Sequence, residues 1–202
     1  MNILIVGAHP DDYELGMAGT IKKHSSEGNN VFSIIMSNGE VIGNQKKRVL
    51  ETKKSAEFLG IKQTYFFNFK DTKISSGIES IAKIEKITKK HNIDRIYTHS
   101  LKDRHQDHRN TCMAVLSASR KVKQILFFES PSSDVDFRPT FFVDISKYLK
   151  DKVESLRLYK SLLKLKKRYL ELKAIKDGAS FRGYQSSLES AESFEVFRFI
   201  EK

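Results

Sequence analysis

The stretch Asn2-Ile3-Leu4-Ile5-Val6-Gly7-Ala8-His9-Pro10-Asp11-Asp12 decides the fold. Residues 2–8 form a nearly continuous apolar run, which is how a strand buried on both faces of a parallel sheet reads. After the turn at residues 9–12, Leu15, Ala18, Gly19 and Ile21 precede Lys22 and Lys23, which predicts a helix ending near Gly28.

Outward from this unit the same order repeats. Residues 31–36 are a second apolar strand, Ser37-Asn38-Gly39 a turn, and residues 48–59 a helix stopped by Gly60. A strand at 64–67, a helix at 78–89, a strand at 93–98 and a helix at 107–120 complete four such units. Residues 125–128 and 141–145 are short apolar strands, and 194–200 alternate large apolar with polar residues, as an edge strand does. A long helical pattern spans 147–175, while 130–139 and 177–193, rich in Ser, Gly and Asp, read as loops. The alternation predicts a Rossmann-like, doubly wound, mostly parallel α/β sheet with helices on both faces. With no repeat or low-complexity linker, residues 1–202 are expected to form one domain.

At 202 residues and 39% apolar content, the chain has the material for a sizeable core. Charged residues at 30% exclude a membrane span or a collagen. The single cysteine, Cys112, rules out an intrachain disulfide or a CxxC site. The first apolar run is too short and too closely followed by aspartates for a signal peptide, so a cytoplasmic location is expected. Lys and Arg number 36 against 25 Asp and Glu, a net charge of +11, which raises nucleic acid as a partner. The excess clusters in helical stretches, chiefly 147–176, where leucines and Val153 interleave with lysines. Packing on the sheet explains that pattern more simply than a polyanion site.

Ligands of open parallel sheets bind beyond the carboxyl ends of the strands. The loop there after the first strand carries His9, Asp11 and Asp12; that after the fourth carries His99, Asp103, His105, Asp107 and His108. Two imidazoles and a carboxylate suit zinc or ferrous iron and leave positions open for water and substrate. Asp12 alone would read as a helix cap, and His105 with His108 as a polar helix start; together on one rim they favour a metal. His24 and His91 read as surface residues, and Arg48 in isolation as part of a solvated basic face. No GxGxxG, P-loop or GxSxG motif is present.

The run Ala8-His9-Pro10-Asp11-Asp12, with Leu15-Gly16, resembles the first motif of the PIG-L/LmbE-like family of zinc-dependent N-acetylglucosamine deacetylases. His105-Gln106-Asp107-His108 resembles the second, His-Pro-Asp-His. Lesser matches are 37–40, Arg48 with Glu51, Arg182-Gly183 and 192–197, so the likeness runs along nearly the whole chain. Tyr13 replaces the acid usual after the Asp-Asp pair, with Glu14 one position on, and Gln106 replaces the usual proline. Neither is a ligand position.

The resemblance implies His9, Asp12 and His108 as metal ligands, Asp11 as general base, and His105 as general acid or oxyanion stabiliser with Asp107 orienting its ring. It implies Arg48 and Asp71 as substrate contacts. The reaction it implies is removal of an acetyl group from an N-acetylated amino sugar or glycoconjugate, using zinc or another divalent metal such as Fe2+. It further implies a small-molecule partner, with no nucleic acid and with a homo-oligomer compatible. The contrasting expectation is a non-catalytic α/β module that binds nucleic acid or another polyanion through its basic surface, with salt-sensitive affinity.

Overall fold

The computed structural model describes residues 1–41 and 44–201. Seven strands, β1 (Asn2–Gly7), β2 (Asn30–Ser37), β3 (Gln63–Phe69), β4 (Arg95–Thr98), β5 (Gln124–Phe128), β6 (Phe141–Asp144) and β7 (Ala191–Phe199), form one sheet in the order β3-β2-β1-β4-β5-β7-β6. The first five are parallel, and β7 runs antiparallel to both β5 and β6. The helices are α1 (Asp12–Ser26), α2 (Gln45–Leu59), α3 (Ile78–Lys90), α4 (Gln106–Ala118), α5 (Leu149–Arg157), α6 (Lys160–Leu163) and α7 (Leu172–Gln185).

Successive residues of a strand point to opposite faces, so the apolar run of β1 supplies two cores at once. Ile3 and Ile5 join Tyr13, Met17, Leu59 and Ala179 beneath α1, α2 and α7. Leu4 and Val6 join Ile84, Ile87, Cys112 and Val115 beneath α3 and α4. The doubly wound expectation holds for this reason, and no helix among the described residues is long and apolar enough to cross a membrane.

Three expectations about the elements change. The strand at the C-terminal end is not at an edge: β7 lies between β5 and β6. Its first half is buried, whereas Val196, Phe197 and Phe199 remain 39–47% exposed, which produced the half-buried alternation of an edge. The helical pattern at 147–175 is broken. Backbone at Tyr159 leaves the helical region (φ −84°, ψ 60°), and its hydroxyl is held in the core by Glu14 (2.7 Å) and Thr52 (3.2 Å), after which α6 and a 3-10 turn (Arg168–Leu170) lead into α7. Tertiary contacts override the propensity, although Val153 and Leu156 of α5 do pack inward as expected. Residues 177–185, expected as loop from their composition, are helical, because Ala179 and Gly183 bury against the rest of the fold.

Helix α1 is kinked at Met17 (φ −152°). A kink leaves backbone groups without partners, and two buried side chains supply them. Glu192 of β7 accepts from the N–H groups of Gly19 (3.0 Å) and Thr20 (2.6 Å). Lys152 of α5 donates to the Leu15 carbonyl (2.7 Å) and to Glu192 (2.6 Å).

His24 and His91 are not simple surface residues. His91 stacks on Phe32 with ring centroids 3.9 Å apart, and His24 Nε2 lies 2.9 Å from the Tyr97 hydroxyl. Burial, aided by Arg95 and Lys23, pushes His24 down to about 4. The unfolded chain, with histidine near 6.5, therefore takes up this proton first as pH falls. The stability that neutral His24 permits is full above pH 6.5 and is lost progressively down to pH 4, up to about 3 kcal/mol. Urea titrations at pH 7 and 4.5 should show His24→Gln losing less stability than the parent; equal losses would remove His24 from the acid response.

Candidate active site

The sheet order places β1 between β2 and β4, so the connections leaving β1 and β4 diverge to opposite faces and open a crevice at the carboxyl ends of these strands. The β1–α1 turn and the segment from His99 to His108 face each other across it.

His9, Asp12 and His108, all buried, bring ligand atoms within 4.8 Å of one another. His108 Nε2 lies 3.4 Å from Asp12 Oδ1, and His9 Nδ1 lies 3.7 Å from Asp12 Oδ2. The outer nitrogen of each ring is fixed by acids: His108 Nδ1 by Asp103 (2.9 Å), His9 Nε2 by Asp71 (3.1 Å) and Asp107 (3.2 Å). Carboxylates behind ligating imidazoles are the usual outer support of a metal centre. Asp12 is not a helix cap; its Oδ2 accepts from the His9 N–H at 2.6 Å and faces His99 Nε2 at 3.0 Å.

The electrostatics call for a cation. Burial alone would lower both histidines, yet Asp107, Asp12 and Asp71 raise His9 well above its ordinary value, and Asp12 and Asp103 lift His108 to about 9. Burial works against the charge on Asp12 too, but His108 and His99 hold its carboxyl well below the usual range. This acid-rich pocket binds positive charge on its imidazoles, and its N,N,O donor set fits zinc or ferrous iron.

Asp11 occupies the position before α1 with a left-handed backbone (φ 85°), a conformation that aspartate tolerates better than most residues, and its side chain makes no capping bond. Its carboxylate instead meets Arg48 Nη2 at 2.9 Å. Burial pushes Asp11 up to about 7, with Arg48 opposing. Arg48, itself buried, also donates to the Pro10 carbonyl (2.7 Å) and the Gly39 carbonyl (3.0 Å). Gly39 has φ 67°, and a Cβ there would lie 2.0 Å from Arg48 Nη1, so this arginine needs a glycine beside it. Arg48 lines the cleft, but its ion pair is with the expected general base.

His105 caps α4: its Nδ1 accepts from the Asp107 N–H at 3.2 Å, so the neutral ring carries its hydrogen on Nε2. Burial, with His108 and His9, keeps its pKa below the ordinary histidine value. The Asp107 carboxylate does not orient this ring; it bonds to His9 and to the Thr72 N–H (2.7 Å), because the start of α4 turns it towards the β1 loop. Asp71 likewise spends its oxygens on His9 and on the Val41 N–H (3.2 Å), although it borders the cleft.

The cleft above these groups has a volume of about 520 Å³ and is walled by Leu15, Arg104, Pro131, Ser132, Leu162 and Tyr169. Sequence reasoning gave no role to Asp103, which also accepts from the Ser132 hydroxyl (2.7 Å) and the His105 N–H (2.8 Å). The available signal was an acid five residues before His108 on the functional rim. Tyr169 was hidden inside the helical pattern, and His99 is fully buried behind His108, on which it stacks at 3.8 Å. Glu14 is equally buried, bonded to Tyr159 away from the cleft, so it does not replace the acid absent at Tyr13.

A family model described as PIG-L, GlcNAc-PI de-N-acetylase, matches residues 4–119, which include every one of these ligand and base candidates. The chain belongs to the PIG-L family. Among PIG-L relatives, YaiS of Escherichia coli K12, an uncharacterized deacetylase, is 33% identical over 172 residues, covering 79% of this chain and 90% of that protein. A diacetylchitobiose deacetylase of Thermococcus kodakarensis is 28% identical over 184 residues, covering 79% of this chain and 69% of that one. The N,N'-diacetylchitobiose deacetylase of Pyrococcus horikoshii shares the fold with a TM-score of 0.84 at 23% identity, over 97% of this chain and 83% of that one. PIG-L membership makes this a deacetylase-family chain, and hence a member of a class of amide hydrolases.

Proposed function

We propose that this chain is a metal-dependent hydrolase that removes the N-acetyl group from an N-acetylglucosamine-type amino sugar or glycoconjugate, giving acetate and a free amine. The observation that carries this reading is the convergence of His9, Asp12 and His108 on the floor of the cleft with Asp11 beside them. Those three side chains would hold a zinc or ferrous ion, which would supply a bound water of near-neutral pKa and polarisation of the acetamide carbonyl.

Asp11, buried and poised near neutrality, takes the proton of the attacking water, and Arg48 keeps its carboxylate oriented. The Nε2–H of His105 donates to the carbonyl oxygen as it becomes an oxyanion. The general-acid role implied by resemblance requires a doubly protonated ring, which would forfeit the cap on α4. We therefore assign His105 to the oxyanion, and let Asp11 return its proton to the departing amine. Asp71 and Asp107 position His9, and Asp103 positions His108.

Elemental analysis of the purified protein, paired with acetate release from N-acetylglucosamine, diacetylchitobiose and a nucleotide-linked N-acetylglucosamine with and without chelator, tests the reading. About one metal per chain and chelator-sensitive release are expected. No metal after reconstitution would overturn it, as would salt-sensitive polyanion binding indifferent to metal and to Asp11. His108→Ala should lose the metal outright, and Asp103→Asn should weaken metal affinity about 10- to 100-fold with the fold intact. An unchanged affinity would remove Asp103 from the support of His108.

A further inference from the structure

Behind the wall formed by Leu15, Pro131 and Tyr169 lies a second cavity of about 390 Å³, and those three residues border both it and the active cleft. Its far side is helix α7, which presents Ala174, Ile175, Gly178 and Phe181, with Phe181 56% exposed.

The charged groups around this cavity are already engaged. Lys152 is held by Glu192 and the Leu15 carbonyl. Arg182 pairs with Glu129 and Gln185, and Ser193 donates to Glu129. Apart from the Tyr169 hydroxyl, what faces the space without a partner is apolar. A sugar ring there would leave hydroxyls poorly paired, whereas a hydrocarbon group gains by leaving water.

Gly178 supports the same conclusion. A glycine inside a helix is less stable than alanine, and the fold gives no reason for this one. Its backbone is ordinary helix, and a Cβ added there would meet nothing within 4 Å. Gly178 is exposed and borders the cavity, so a long side chain at 178 can reach into it.

We propose that this cavity is a second subsite for the substrate, taking an alkyl or aryl group attached through the glycosidic oxygen of the N-acetylated sugar while the sugar occupies the cleft. The inference rests on the deacetylase reading for the position of the sugar. Tyr169, shared by both spaces, stands at the junction over which such a tail passes. Each methylene buried there is worth about fourfold in affinity.

The test compares hexyl and methyl N-acetyl-β-D-glucosaminide on the zinc-loaded protein, by calorimetric affinity and by amine release, in the parent and in Gly178→Leu. The parent is expected to bind the hexyl glycoside at least tenfold more tightly than the methyl one, with a matching ratio in kcat/KM. Gly178→Leu should melt no lower than the parent while that ratio collapses towards one. Equal affinities in the parent, or a hexyl preference that survives Gly178→Leu, would overturn the subsite. Should neither glycoside be hydrolysed, the deacetylase reading for glucosaminides fails, and the calorimetric ratio still decides the subsite.

Discussion

Asp11→Asn is expected to cut acetate release about 10²- to 10⁴-fold, the usual loss when a positioned base is removed, while the metal stays bound. Asparagine preserves the size of the side chain and tolerates the left-handed backbone at this position (φ 85°), so the α1 start should persist. The carboxylate oxygen that faces Arg48 becomes an amide atom, and the proton acceptor is gone. His9, Asp12 and His108 are untouched, so elemental analysis should return the same metal content as the parent. Acetate release within a few-fold of the parent would sink the assignment of Asp11 as the base; loss of metal would instead make it part of the binding site.

The largest effect on stability is expected at the Met17 kink of α1. Glu192→Ala removes the acceptor of two helix N–H groups at the Met17 kink and leaves the Lys152 ammonium buried without its partner. Uncompensated buried charge of this kind costs about 3–5 kcal/mol, which in a chain of this length lowers Tm by about 10 °C. Lys152→Met should cost a similar amount, and the Lys152→Met/Glu192→Gln pair should cost clearly less than the sum, because the two residues serve one kink. A melting temperature for Glu192→Ala within 2 °C of the parent would show that the kink does not depend on the pair.

What was readable in the sequence was local. The two-faced burial of residues 2–8 follows from the absence of polar alternation, and the pairing of two His- and Asp-bearing loops follows from their places after the first and fourth strands. Which acid serves which histidine was not local. Asp107 is two residues from His105, yet its carboxylate reaches His9 from a loop 98 residues away. Asp71 reads as a free substrate contact until the fold brings it to the same ring. Arg48 looks like one of a row of solvated cations in 46–48 until Gly39 opens the space for its guanidinium to turn inward. The position of β7 was equally hidden, since its half-exposed second half alternates as an edge strand does although the strand lies between two others.

That insertion bears on how the protein is made. A ribosome delivers β5 and β6 long before β7, and among the described residues β6 has no neighbour in the sheet except β7. Until residues 191–199 emerge, the growing chain holds β5 as an open parallel edge and β6 as an orphan, with Glu192 not yet present to splint α1. Open edges of this kind invite pairing with other chains. The stretch that seals the sheet is therefore made after every other strand in it, and a nascent chain stalled short of it is the species that chaperones have to guard.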